Sequence, residues 1–159
     1  MKLPESTEWV LHCTTLLAQL PGEAVSTAQL AEHFALPPAY LAKQLARLVR
    51  AGVLAGAPGA RGGFRLGRPA SKITVLDIVE AIDGGGDPYQ CREIRQQGRG
   101  ASPPEECRER CTLASVMDSA RDAWRDSLRS VTVERLVESL PPEIPERNRA
   151  LLCADESSR

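Results

Sequence analysis

Between Leu36 and Leu66 the chain has few structures open to it. Leu36-Pro37-Pro38 interrupts any continuous helix, because proline lacks an amide proton and pushes the residue before it out of helical geometry. From Pro38 onward Leu41, Leu45, Leu48 and Val49 recur with a helical period, and Gly52 follows as a stop. A helix from about Pro38 to Ala51, with proline in its first turn, is expected. Val53–Ala55 and Gly63–Leu66 then read as short strands around a Gly-rich loop, 56–62. Upstream, Ser26-Thr27 opens a short helix to Phe34. Helix, tight turn, helix and hairpin, in that order, is the winged helix-turn-helix pattern.

The remainder reads as mainly α. An amphipathic helix over 6–20, with Ser6 or Thr7 as its cap, ends at Pro21-Gly22. Another runs over 73–82, with Thr74 as N-cap and Gly84-Gly85-Gly86 as its stop. A long helix from Thr112 to Ser130 carries Leu113, Val116, Met117, Ala120, Trp124 and Leu128 in one stripe, and a short one follows from Val133 to Leu140. The fold expected is mainly α with a small β-hairpin wing. Its parts are a DNA-reading domain (1–83), a cysteine-bearing loop (84–111), a long and a short helix (112–140) and a polar, frayed tail (141–159).

Net charge is −1, which excludes a chain that coats nucleic acid through bulk charge. The distribution is more telling. Residues 40–68 hold Lys43, Arg47, Arg50, Arg61, Arg65 and Arg68 and no acid. With Leu41, Leu45 and Leu48 turned inward, Ala39, Tyr40, Lys43, Gln44 and Arg47 fall on or near the opposite face of their helix. Arg and Lys suit guanine or phosphate, and Gln suits adenine. Arg61, set among small residues in the hairpin loop, suits a minor groove. Ser26 and Thr27, at the start of the preceding helix, complete the expected DNA-binding set.

Three of the five cysteines, Cys91, Cys107 and Cys111, sit in one polar stretch broken by Pro and Gly, spaced C-x15-C-x3-C. The sequence opens without a secretory leader and contains no apolar run of the roughly 20 residues a membrane span needs. A cytosolic location follows as the expectation, where thiols stay reduced and clustered cysteines read as metal-binding or redox-active. Cys107 and Cys111 are four apart, and Cys111 stands at the mouth of the long helix, where the helix dipole favours a thiolate. If two thiols serve, Cys91 and Cys111 are favoured, with Cys107 as a spare or redox-reactive neighbour. Glu8 and His12 are also four apart on the first helix. Taken alone they read as a surface pair worth a few tenths of a kcal/mol. Trp9 beside them reads as core, as does Cys13. Cys153 carries no role, and His33 reads as a surface or phosphate-side residue rather than a ligand.

Four segments together resemble the Rrf2 family of bacterial transcription regulators: Pro38–Leu45, Leu48–Leu54, Gly59–Leu66 and Ile73–Gly84. The likeness covers roughly residues 7–135. It implies a winged-helix homodimer joined through the long helix, and an iron–sulfur cluster held after the Ile73–Gly84 segment. The first cysteine gap here is longer than is common among cluster-bearing members. With Glu8, Trp9 and His12 on the first helix, it most resembles an actinobacterial redox regulator whose 2Fe–2S cluster has mixed ligands. That likeness implies that Glu8 and His12 join the cysteines as ligands, shared between subunits, and that Trp9 relays the state of the cluster.

The expectation is thus a homodimeric regulator on a pseudo-palindromic operator in double-stranded DNA, its affinity switched by a 2Fe–2S cluster. It expects no enzymatic activity, no membrane association and no small-molecule substrate. Two alternatives stand beside it. One is a nitric-oxide or iron-status sensor with a three-cysteine 4Fe–4S cluster. The other is an interaction module that binds zinc or an iron–sulfur cluster without DNA.

Overall fold

A computed structural model of the chain describes residues 3–59 and 62–154. Among the described residues, seven α-helices and one hairpin follow in the order α1 (Glu5–Ala18), α2 (Thr27–Phe34), α3 (Pro38–Arg50), β1 (Leu54–Ala57), β2 (Gly63–Leu66), α4 (Val75–Asp83), α5 (Thr112–Arg129), α6 (Val133–Glu138) and α7 (Glu143–Ala154). Two compact units form. Gly86–Ser127 is one, and the described residues up to Gly85 and from Leu128 onward are the other.

The larger unit is held by aliphatic packing. Val10, Leu16 and Leu17 of α1, Leu30 of α2, Leu41, Leu45 and Leu48 of α3, and Ile78 and Ile82 of α4 meet in one buried cluster. Each fully buried Leu or Ile contributes about 1.5–3 kcal/mol from apolar surface removed from water. The helix-turn-helix hinges on Ala35, held at φ 52° as the left-handed C-cap of α2, after which Pro38 begins α3. The start of α2 is fixed by a reciprocal cap. The Gln29 amide donates to the Ser26 hydroxyl, and the Gln29 side chain accepts from the Ser26 amide.

The hairpin is antiparallel, with Leu54 opposite Leu66 and Ala57 opposite Gly63. Its first strand lies one to two residues beyond the Val53–Ala55 expected, because Val53 is drawn into the core, with its amide bonded to the Leu48 carbonyl. The wing is tied to the chain before α2 by paired bonds between Val25 and Phe64. A Cβ on Gly63 would lie 2.5 Å from the Val25 carbonyl group, so this approach admits glycine alone.

Three further expectations need correction. Pro4 is the N-cap of α1, with no side-chain bond but with its carbonyl accepting from the Thr7 amide at 2.9 Å, and Ser6 and Thr7 lie inside the helix, buried, rather than capping it. The tail expected over 141–159 is, through Ala154, largely a helix rather than frayed chain. Pro141-Pro142 ends α6 but also leads into α7, where Pro145 fits the first turn. Leu152 joins the core and Asn148 is buried, its Nδ2 donating to Gln19 Oε1 of α1 at 2.8 Å. The cysteine segment is also not plain loop, since it holds two 3-10 turns, Ile94–Gln96 and Pro104–Cys107.

Candidate functional site

The face expected to read DNA lies on α3. Burial of Leu41, Leu45 and Leu48 turns Ala39, Tyr40 and Lys43 outward, all exposed. Gln44 departs from the sequence reading. It is buried at 4% exposure, with its Oε1 3.4 Å from an Arg47 guanidinium nitrogen. The cause is geometric: Gln44 sits beside Leu41, Leu45 and Leu48 on a helix whose buried arc is wider than those three residues. Arg47 itself donates to the Ile82 carbonyl at 3.0 Å, so it caps the end of α4. Ser26 and Thr27 are half-buried at the start of α2. Arg61 lies outside the described residues. Arg65 of the wing is one more exposed cation beside those expected to bind DNA. On β2 it is exposed while Phe64 and Leu66 on either side are half-buried, and strand alternation in Gly63–Leu66 is the signal that could have found it.

The smaller unit gathers the loop thiols. Cys91, Cys107 and Cys111 line one cavity of about 330 Å³ together with Glu93 and the Arg108–Arg110 segment. Each thiol is half-buried. Cys111 stands immediately before α5, where hydrogen bonds from the Ala114 and Leu113 amides, with the Arg95 charge nearby, hold its thiol below the ordinary value of 9.0. A thiolate there is satisfied by unpaired helix amides. Arg95 stitches the loop, pairing with Glu93 and donating to the Glu109 carbonyl at 3.1 Å. A chain of ion pairs closes both loop ends on α5. Arg121 reaches Asp87 at 2.7 Å and Asp118 at 3.4 Å, and Asp118 also pairs with Arg110.

In the larger unit, Glu8 and His12 are exposed on one face of α1, as their spacing requires, and line a second cavity of about 310 Å³. Thr7 lines the same cavity, and its buried hydroxyl has no hydrogen-bond partner among the described residues. Trp9 is half-buried and meets Tyr40 of α3 edge to face. Cys13 is fully buried, its thiol pushed up to about 12 by desolvation, which suits the core role expected of it.

The donor types fit an iron–sulfur cluster. Three thiols share one cavity of the smaller unit, one of them with its thiolate stabilised, and a carboxylate and an imidazole line a separate cavity of the larger unit. Among the described residues, however, no three His, Cys, Asp or Glu side chains stand close enough together to hold a single metal ion. The described helices include none long and apolar enough to cross a membrane.

Comparison with known proteins identifies the family and the fold. The family model described as "Rrf2: Iron-dependent Transcriptional regulator" matches residues 3–139. YwgB of Bacillus subtilis (strain 168), whose name places it among HTH-type transcriptional regulators, is 30% identical over 139 residues, covering 87% of this chain and 85% of its own. CymR, the global cysteine regulator of B. subtilis, superposes with a TM-score of 0.68 at 25% identity, covering 89% of this chain and 99% of its own. The T. potens IscR structure has a TM-score of 0.64 at 22% identity and covers 87% of each chain, a likeness of fold. The mostly helical body with one hairpin wing is the winged helix-turn-helix architecture of these regulators. The chain belongs to the Rrf2 family of transcriptional regulators.

Proposed function

We propose that this protein is a homodimeric regulator whose operator affinity is set by the redox state or presence of a bound 2Fe–2S cluster. The observation that carries the reading is the shared cavity of Cys91, Cys107 and Cys111, with Cys111 held toward the thiolate at the start of α5. In this reading Cys91 and Cys111 are the thiolate ligands, and Glu8 and His12 of the partner's α1 complete the shell, as in the actinobacterial RsrR-type regulators that the sequence resembles. When bound, the cluster supplies a reversible one-electron change between two charge states.

The chain's own residues do the rest. Arg95 and the Arg121–Asp118–Arg110 ion pairs hold the loop in place. Glu8 and His12 flank Trp9 on α1, so any shift of that helix face moves the indole that rests on Tyr40 at the start of α3. Tyr40, Ala39 and Lys43 would then change their fit in the major groove, with Ser26 and Thr27 on phosphates and Arg61 in the minor groove. The exposed apolar stripe of α5, with Leu113 at 70%, Val116 at 60% and Met117 at 41% exposure, supports a dimer that covers it with a second copy. Two recognition helices would then meet a pseudo-palindromic operator.

A second reading keeps the DNA switch but uses all three thiols for a 4Fe–4S cluster. It is favoured by Cys107, which lines the same cavity as the other two. Metal analysis separates the readings. Protein purified without oxygen should contain about two iron and two sulfide per cluster and lose both in Cys91→Ala, with Cys107→Ala retaining them. A Cys107→Ala protein without iron would favour the three-thiol set. Zinc in place of iron in the unaltered protein would remove both readings.

A further inference from the structure

A cavity of about 510 Å³ between α2 and α7 plays no part in the cluster or DNA readings. Its size is that of small-molecule sites, about 300–1,000 Å³. From α2 it is lined by Gln29, Glu32 and His33, and from α7 by Arg147, Asn148 and Leu151. Glu32 and Arg147 carry opposite charges, and among the described residues neither charged side chain makes an ion pair or hydrogen bond. Leu151 presents a large apolar side chain on the same wall, 56% exposed. Burial, with the Arg147 charge adding to it, holds the His33 imidazole below its ordinary 6.5. At neutral pH His33 therefore adds a neutral ring rather than a second cation.

These groups select among ligand classes. A phosphate or other dianion would meet one guanidinium and be repelled by Glu32. A plain hydrocarbon would cover Leu151 and desolvate both charges without a partner, which is costly. A zwitterion with an apolar side chain satisfies all three features. We propose that the α2–α7 cavity binds a free α-amino acid with an apolar side chain, its carboxylate on Arg147, its ammonium on Glu32 and its side chain against Leu151.

The wall that receives it is already ordered. Asn148 is 6% exposed and bonded to Gln19 of α1, and Leu152 packs into the core. A preformed wall lowers the ordering cost of binding. Gln29 gives the site a route to the DNA face, because its side-chain oxygen accepts from both the amide and the hydroxyl of Ser26 at 3.0 and 2.9 Å. A ligand touching that amide bears on the first turn of α2. This consequence rests on the DNA reading above, whereas binding itself does not.

Isothermal titration of the full-length protein with L-leucine, L-valine or L-methionine, without DNA, tests the site. Saturable binding of at least one of them is expected, weakened about tenfold or more in Arg147→Gln and in Glu32→Gln, since each removes a charged hydrogen-bond partner. For L-leucine, 4-methylpentanoate and 3-methylbutylamine, which each lack one charged group, should bind more weakly by a similar factor. Both residues are exposed, and circular dichroism confirms that the variants fold. No saturable heat from any of the three amino acids up to about 10 mM, or undiminished binding in both variants, would overturn the proposal. The titration contains no DNA, so its failure is distinct from a failure of operator binding.

Discussion

The indole of Trp9 meets the phenol ring of Tyr40 edge to face, with ring centroids 5.6 Å apart and planes at 82°. The contact joins the helix that carries Glu8 and His12 to the first turn of the recognition helix. Such pairs are worth about 0.5–1.5 kcal/mol beyond the area they bury. A double-mutant cycle with Trp9→Leu and Tyr40→Leu, read by urea unfolding, should give a coupling energy in that range. In Trp9→Leu the difference in operator affinity between oxidised and reduced protein should shrink at least severalfold. An unchanged redox difference would take the indole out of the relay.

Lys43 is exposed on α3 and free of acidic neighbours in sequence. Lys43→Ala should weaken operator binding and lower the dependence of log affinity on log salt by about one contact's worth. Band-shift titrations at several salt concentrations measure both. A variant with the affinity and salt slope of the parent would mean that α3 does not dock as described.

Cys111 and Cys13 should differ sharply toward iodoacetamide in cluster-free protein. Bonds from the Ala114 and Leu113 amides favour the Cys111 thiolate, so its alkylation should rise through a midpoint below pH 9.0. Cys13, buried and pushed up to about 12, should stay unlabelled while the protein is folded. Peptide mass spectrometry across pH gives both profiles. If Cys111 reacted no faster at pH 7 than the exposed Cys153, the assignment of a stabilised thiolate would be wrong.

Asp77 makes the start of α4 sensitive to acid. Partial burial disfavours its charge, but bonds from the Thr74 amide and hydroxyl and the Arg68 guanidinium outweigh this and hold its carboxyl below the ordinary 3.8. A depressed pKa contributes stability above the unfolded value that disappears as pH falls through the folded one. Asp77→Asn should therefore cost about 1 kcal/mol at neutral pH, and the gap from the parent should close as pH drops below 3.8. Unfolding curves from pH 7 to pH 3 would show it. A gap independent of pH would assign the effect to packing.

The buried Asn148–Gln19 bond should matter more than its place near the end of the chain suggests. Asn148→Ala leaves the Gln19 side-chain oxygen without this donor at a buried position, a cost of about 1–3 kcal/mol. Urea unfolding that shows no loss would place α7 outside the cooperative unit.

Much of this was legible in the residues themselves. Pro38, the Leu41–Leu45–Leu48 stripe and Gly52 each act locally, so α3 and its end could be read directly. The Thr74 cap was equally local. Gln44 was misread because its burial depends on how wide a face neighbouring helices cover, which the leucine stripe alone does not reveal. α7 was missed because Pro141-Pro142 both stops one helix and starts the next, and only the distant partner Gln19 shows that the second one docks. The pairing of Trp9 with Tyr40 links positions 31 apart in sequence, beyond any local pattern. The thiols could be grouped by spacing, but the amides that stabilise Cys111 became visible only with α5 in place.

The proposed 2Fe–2S cluster takes its ligands from both the cysteine loop and α1. Visible and electron paramagnetic resonance spectra of anaerobically purified protein, before and after dithionite, and the same spectra of His12→Ala, probe both sets of ligands. A coloured protein is expected that gains the paramagnetic signal of a reduced 2Fe–2S cluster on reduction, with that signal altered in His12→Ala. A colourless protein, or spectra identical in the parent and His12→Ala, would contradict it.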